Sequence, residues 1–76
     1  MKLSELKKGL PASILRIEGN PELIQRLLEM GFLEGSAIQI LHTGPFGGDP
    51  IAVRVRGTLV ALRRSEAAAI EVLSHA

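Results

Sequence analysis

The side chains best equipped for chemistry fall into three groups. Arg54, Arg56, Arg63 and Arg64 form a basic cluster with no acidic residue among them. Arginines pair with phosphate or carboxylate, and in a strand the period of two puts Arg54 and Arg56 on one face. Nucleic-acid contact, protein-surface contact and a solvated face are the three readings. Trp and Tyr are absent, so stacking platforms for bases are lacking. A formal net charge of +1 exerts no long-range pull on a polyanion. His42 is the second group, a potential metal ligand that could join Asp49 or a Glu across space. A specific site needs three or four convergent ligands. With no cysteine and no ligand spacing, neither metal nor cofactor is assigned.

The third group is the loop Gly44-Pro45-Phe46-Gly47-Gly48-Asp49-Pro50. Its Gly and Pro force a tight excursion between two strands. It lacks the Lys-Ser/Thr ending of a phosphate loop and runs into a strand, not a helix. It reads as a structural turn or a partner contact. Phe46 is then an exposed anchor, or it tucks under the loop. No catalytic set is evident. Ser4, Ser13, Ser36, Ser65 and Ser74 lack a nucleophile motif, and Glu22 with Arg26 makes a helix-supporting i,i+4 pair. No catalytic residue is assigned and no enzyme is expected.

Regular elements must hold these groups. Asn20 can cap a helix that starts at Pro21 with Glu22 in its first turn. Leu23, Ile24, Leu27, Leu28 and Met30 share one face, and Glu22, Gln25, Arg26 and Glu29 the other. Gly31 ends the helix, and Phe32 folds back onto Leu27. A shorter turn is predicted with Ser4 capping Glu5 to Lys8, and another with Ser65 capping through Ala69.

Strands are predicted at Ala12 to Glu18, Ala37 to Thr43, Ile51 to Arg56, Leu59 to Arg63 and Ile70 to Leu73. Alternation in the second places Ile38, Ile40 and His42 together. Gly57-Thr58 is the predicted tight turn of a hairpin. Leu59 to Leu62 are apolar on both faces, which predicts a strand covered on both sides. The chain is therefore mainly β, a small curled sheet or barrel of five strands with one amphipathic helix and short helical turns.

Composition sets the bounds. At 76 residues the chain is expected to be one domain, 1–76, with no room for the large cleft most enzymes enclose. Leu, Ile and Val make 23 of the 76 residues, so the core must be aliphatic. The start, MKLSELKKGLP, has charges among its leucines and does not read as a secretory signal. The longest apolar runs are only a few residues. They fall far short of a bilayer span, which takes about 20 residues. A cytoplasmic protein is expected.

Four blocks in order resemble the FeoA family of bacterial ferrous iron uptake, from Leu3 to about Val72. They are Leu3-Ser4-Glu5-Leu6-Lys7-Lys8-Gly9, Arg26 to Ser36, the Gly44 to Pro50 loop, and Arg56 to Ala67. The loop is richer in glycine than the family's minimal version. The resemblance implies an SH3-like five-stranded barrel and a partner, the membrane GTPase transporter FeoB. Related domains end some iron- and manganese-responsive repressors, and the family is often described as binding transition metals. With no DNA-binding domain ahead of the barrel, the free-standing transport component is the better fit.

The expected function is a non-enzymatic accessory or regulatory protein that docks on the cytoplasmic GTPase part of FeoB. Its expected contacts are Gln25, Arg26 and Glu29 on the helix, with Pro45, Phe46, Gly47, Gly48 and Asp49 in the loop. The alternatives are a transition-metal sensor using His42 and a nucleic-acid-binding barrel using the Arg hairpin. No nucleic acid is expected, and contact with the membrane is only through the partner. An exposed edge strand or apolar loop residues could make a homo-oligomer.

Overall fold

In the computed structural model, which describes residues 1–75, a 3-10 turn at Leu3–Glu5 precedes β1 (Ala12–Ile17) and α1 (Pro21–Glu29). Then follow β2 (Ala37–Gly44), β3 (Gly48–Val55), β4 (Thr58–Leu62), α2 (Arg64–Ala67) and β5 (Ile70–Ser74). Ala76, the last residue of the expected domain, lies outside the described residues. The five strands form one antiparallel sheet in the order β4-β3-β2-β1-β5. The predicted fold class is the observed one.

Three register shifts bend this sheet: Leu15 is the extra residue in β1, Leu41 is the extra residue in β2, and Asp49 and Pro50 are extra in β3 between the Thr43–Ile51 and Gly44–Gly48 pairs. A bulge adds twist and lets a short sheet curl over its own core. It also resets the side-chain period. Alternation would put His42 beside Ile38 and Ile40, but the Leu41 bulge turns His42 to the exposed face, opposite Ala52.

The core collects one residue or more from every element, including Leu3, Ile14, Leu27, Ile40, Val53, Leu62, Ala67 and Ile70. It is aliphatic apart from Phe32, which is fully buried. Among the described residues no polar or charged side chain is buried.

Helix α1 starts and stops as its sequence dictates. The Asn20 side chain accepts from the Leu23 amide at 2.8 Å, and Pro21 occupies the first position. At the other end Gly31 has φ 100°, and the Gly31 and Phe32 amides donate to the Leu28 and Leu27 carbonyls at 3.0 Å each. This is the paired hydrogen-bond pattern of a Schellman cap, and it drives Phe32 into the core. The buried stripe is narrower than predicted. Leu27 is buried, but Leu28 is 40% exposed. Successive residues are about 100° apart around a helix, so a Leu27 aimed at the core leaves Leu28 on the rim.

Both short helical turns begin two residues earlier than the serine caps predict. The Glu5 carboxylate accepts the Lys2 amide at 2.9 Å, and Glu66 accepts the Arg63 amide at 2.8 Å. Each Glu sits at the third helical position and reaches back to the capping residue. Ser4 and Ser65 therefore lie inside their turns.

The β3–β4 turn is Arg56-Gly57, one residue ahead of the predicted pair. Arg56 has φ 51° and Gly57 has φ 80°. Two positive values in succession are what a primed two-residue turn requires. Thr58 already pairs with Val55 as the first residue of β4. Nor is β4 covered on both sides. It is a sheet edge, with Leu59 65% exposed and Ala61 also exposed. The opposite edge, β5, is occupied by the chain start. Val72 donates to the Met1 carbonyl at 2.7 Å, and Lys2 bridges to Glu71.

Candidate interaction surface

The β2–β3 loop is held by backbone approach. A Cβ on Gly44 would lie 2.3 Å from the Asp49 carbonyl oxygen, so only glycine permits this closure. Gly47 (φ 67°) and Gly48 (φ 84°) then turn the chain where a side chain would be strained. The Asp49 carboxylate accepts the Arg64 amide at 3.0 Å, joining the loop to the start of α2. Arg64 reaches on to the Ser4 carbonyl at 3.3 Å. Loop, α2 and N-terminal turn are thus tied together, and the tie leaves Phe46 pointing outward. Its side chain is 82% exposed, so it does not tuck under the loop.

On α1, Gln25 donates to Glu29 at 3.3 Å along the exposed face. Arg26 pairs with Glu66 of α2 and not with Glu22, one turn back in its own helix. The two helices border an open cleft of about 610 Å³, lined by Glu22, Arg26, Arg63 and Glu66 among others. A second cleft of about 420 Å³ is lined by Phe46, Asp49, Pro50 and Arg63. Arg63 lines both, so it links the helix residue Arg26 to the loop residues Phe46 and Asp49. Gln25 and Glu29 line neither cleft and sit on the outer helix face. Pro45, Gly47 and Gly48 frame Phe46 in the chain.

Sequence reasoning misses Arg63 and Glu66 as parts of this surface. No local signal pairs Arg26 with Glu66, because the segment after the hairpin and α1 meet only in three dimensions. The arginine cluster itself is dispersed. Arg54 projects from the exposed face of β3, but Arg56 is in the turn, so the two do not share a strand face. Arg63 and Arg64 follow the far end of β4, a strand length away from that turn, on the order of 15 Å. Among the described residues no three His, Asp or Glu side chains converge as a metal would require. His42 is exposed on β2, and His75 Nε2 shares a hydrogen bond with the Ser13 hydroxyl at 2.8 Å. The described residues do not fit a three-ligand metal site. The Glu71 carboxyl is held below the usual carboxylate range, chiefly by its hydrogen bond to the Met1 ammonium at 2.7 Å. No described helix is long and apolar enough to cross a membrane.

Comparison with known proteins adds the relationships of the whole chain. Residues 1–73 match the FeoA domain model. The chain is 44% identical over 72 residues to an Fe(2+) transport protein A/Fe(2+) transporter FeoB fusion protein of Porphyromonas gingivalis. That match covers 95% of this chain but only 8% of the fusion protein. A putative Fe(2+) transport protein A of Campylobacter jejuni is 36% identical over 72 residues, 95% of this chain and 96% of that protein. Among solved structures, a zinc-complexed FeoA of Stenotrophomonas maltophilia, described as an SH3 domain protein, is 37% identical with a TM-score of 0.84. The match covers 96% of this chain and 89% of that one.

Proposed function

The chain belongs to the FeoA domain family, and from that premise we propose that it is a non-enzymatic accessory protein of ferrous iron uptake. It works in the cytoplasm, docks on the GTPase part of a FeoB-type membrane transporter, and meets the membrane only through that partner. The observation that carries this reading is the Porphyromonas fusion, in which a domain 44% identical to this chain is covalently joined to the transporter. A covalent link raises the effective concentration of two parts for each other, an arrangement suited to parts that bind.

The surface supports a protein-binding role. Phe46 is the most exposed large apolar side chain among the described residues, on a loop fixed by Gly44 and by Asp49. Seating such a ring in a partner pocket contributes roughly 1.5–3 kcal/mol. Pro45, Gly47 and Gly48 flank the ring in the chain, and Arg26 supplies a polar margin through the cleft it shares with Arg63, with Gln25 and Glu29 farther out on the exposed helix face. A domain of this kind changes transporter activity or assembly by binding one transporter state better than another.

Co-purification with the cognate transporter from detergent extracts under iron limitation tests the reading. The account expects enrichment by the parent chain and a loss of roughly tenfold or more with Phe46→Asp, as for an interface anchor. No enrichment, together with unchanged Fe²⁺ uptake in a deletion strain, overturns it. The zinc complex of the Stenotrophomonas relative favours a second reading, direct transition-metal binding. Calorimetry with Zn²⁺ or Fe²⁺ on the parent and on His42→Ala decides that alternative. Heat that His42→Ala abolishes supports it, and no heat with the parent removes it.

A further inference from the structure

The outer edge of β4 is open and chemically marked. Because the Arg56-Gly57 turn has two residues, Val55 and Thr58 close the hairpin as a hydrogen-bonded pair. Alternation makes Val53 with Val60 and Ile51 with Leu62 the next bonded pairs. Leu59 and Ala61 fall in the non-bonded pairs opposite Arg54 and Ala52, so their N–H and C=O groups aim away from the sheet. Among the described residues no loop, cap or side chain bonds those groups. Beside them stands Leu59, 65% exposed, and Val60 packs against the core from the edge.

Charge selects the occupant. Arg56 marks the turn end of this edge, and Arg63 marks the other end, beside the Phe46–Pro50 cleft. Among the described residues neither Arg56, Arg63 nor the neighbouring Arg54 has a carboxylate partner for its side chain. A second copy added antiparallel would set Arg56 of one chain against Arg63 of the other at both ends. Like charges facing each other across strands are destabilising, and flanking charge is a common guard against edge-to-edge pairing. The same guard favours a partner of opposite sign.

We propose that the β4 edge takes an extended polypeptide segment by strand addition, with an aliphatic residue against Leu59 and acidic residues at both ends facing Arg56 and Arg63. The backbone of Leu59 and Ala61 supplies the ladder, and the two arginines set sign and register. The inference stands apart from the transporter reading, because its test uses the whole chain with synthetic peptides and no transporter.

The probe is a short capped peptide with a Val-Leu-Val centre and glutamates at both ends, titrated into the isotope-labelled chain and followed by amide NMR. The expected result is saturable shifts centred on Leu59 and Ala61, with new exchange protection of those two amides. A lysine-for-glutamate peptide should bind weaker by roughly tenfold or more, since two attractive pairs become repulsive. Ala61→Pro removes an outward N–H without breaking the β3 ladder and should abolish binding. If Ala61→Pro does not fold, Arg56→Gln with Arg63→Gln replaces it and should erase the preference for glutamate. Shifts confined to another surface, equal affinity for the lysine peptide, no binding, or self-association through β4 without peptide would each overturn the proposal.

Discussion

Replacing Gly44 with alanine tests how the loop that carries Phe46 is held. The added methyl would lie 2.3 Å from the Asp49 carbonyl oxygen and 2.5 Å from its carbon. Ordinary contact begins at 3.4 Å, so the Asp49 backbone must retreat until 2.3 Å becomes 3.4 Å. Overpacking of this kind costs roughly 1–3 kcal/mol. The same retreat stretches the 3.0 Å bond from the Arg64 amide to Asp49. Losing that bond adds roughly 0.5–1.5 kcal/mol. The sum is about 1.5–4.5 kcal/mol, against a total stability of roughly 4–11 kcal/mol for a chain of this length. At the middle of both ranges, a loss of about 3 kcal/mol from about 7–8 kcal/mol, the variant should fold, melt roughly 12–24 °C lower, and show a displaced Arg64 amide signal. Gly47→Ala is the control. Its Cβ would meet nothing within 4 Å, and its φ is +67°. Only that left-handed backbone resists the methyl, at a cost of about 1–2 kcal/mol. Far-ultraviolet melts and amide spectra of both variants decide the matter. A Gly44→Ala chain that melts with the parent and keeps its Arg64 signal would refute the reasoning.

Three further outcomes follow from named contacts. Asn20→Ala removes the cap on the Leu23 amide. It should cost about 1 kcal/mol, read as a drop of roughly 4–8 °C in melting temperature. The side chains of Arg26 and Glu66 are 57% and 19% exposed. A double-mutant cycle on the pair should return a coupling of about 0.2–1 kcal/mol that fades with salt. The folded-state pKa of Glu71 is depressed, so its contribution is complete above the ordinary carboxylate range and is lost as pH falls through the depressed value. Acid melts of the parent should show that loss, and Glu71→Gln should flatten it.

Legibility in the sequence follows the range of the interactions. Helix α1 is readable because Asn20, Pro21, Gly31 and Phe32 act on neighbours within a turn. The five strands are readable from runs of Ile, Val and Leu between Gly and Pro. The bulges at Leu15 and Leu41 leave no local mark, so simple alternation puts His42 on the wrong face. A reading that takes serine as the cap misplaces the short turns by two residues, though Glu5 and Glu66, three positions after the caps Lys2 and Arg63, are in plain view. Strand order is readable only where a hairpin joins neighbours, as β3 joins β4; the placing of β1 between β2 and β5 is not. A strand apolar on both faces looks buried, yet β4 is an edge whose Leu59 faces solvent. Of the candidate surface, the loop and the ring it carries are legible. The Arg26–Glu66 pair and the linking position of Arg63 depend on the meeting of α1 and α2, which no spacing encodes.

The most direct measurement is an amide NMR footprint of the purified cytoplasmic GTPase part of a FeoB-type transporter on the labelled chain. The account predicts saturable perturbation at Phe46 to Asp49 and at Arg26. A footprint that leaves those residues untouched, or none at all at concentrations where the chain is folded, would contradict it.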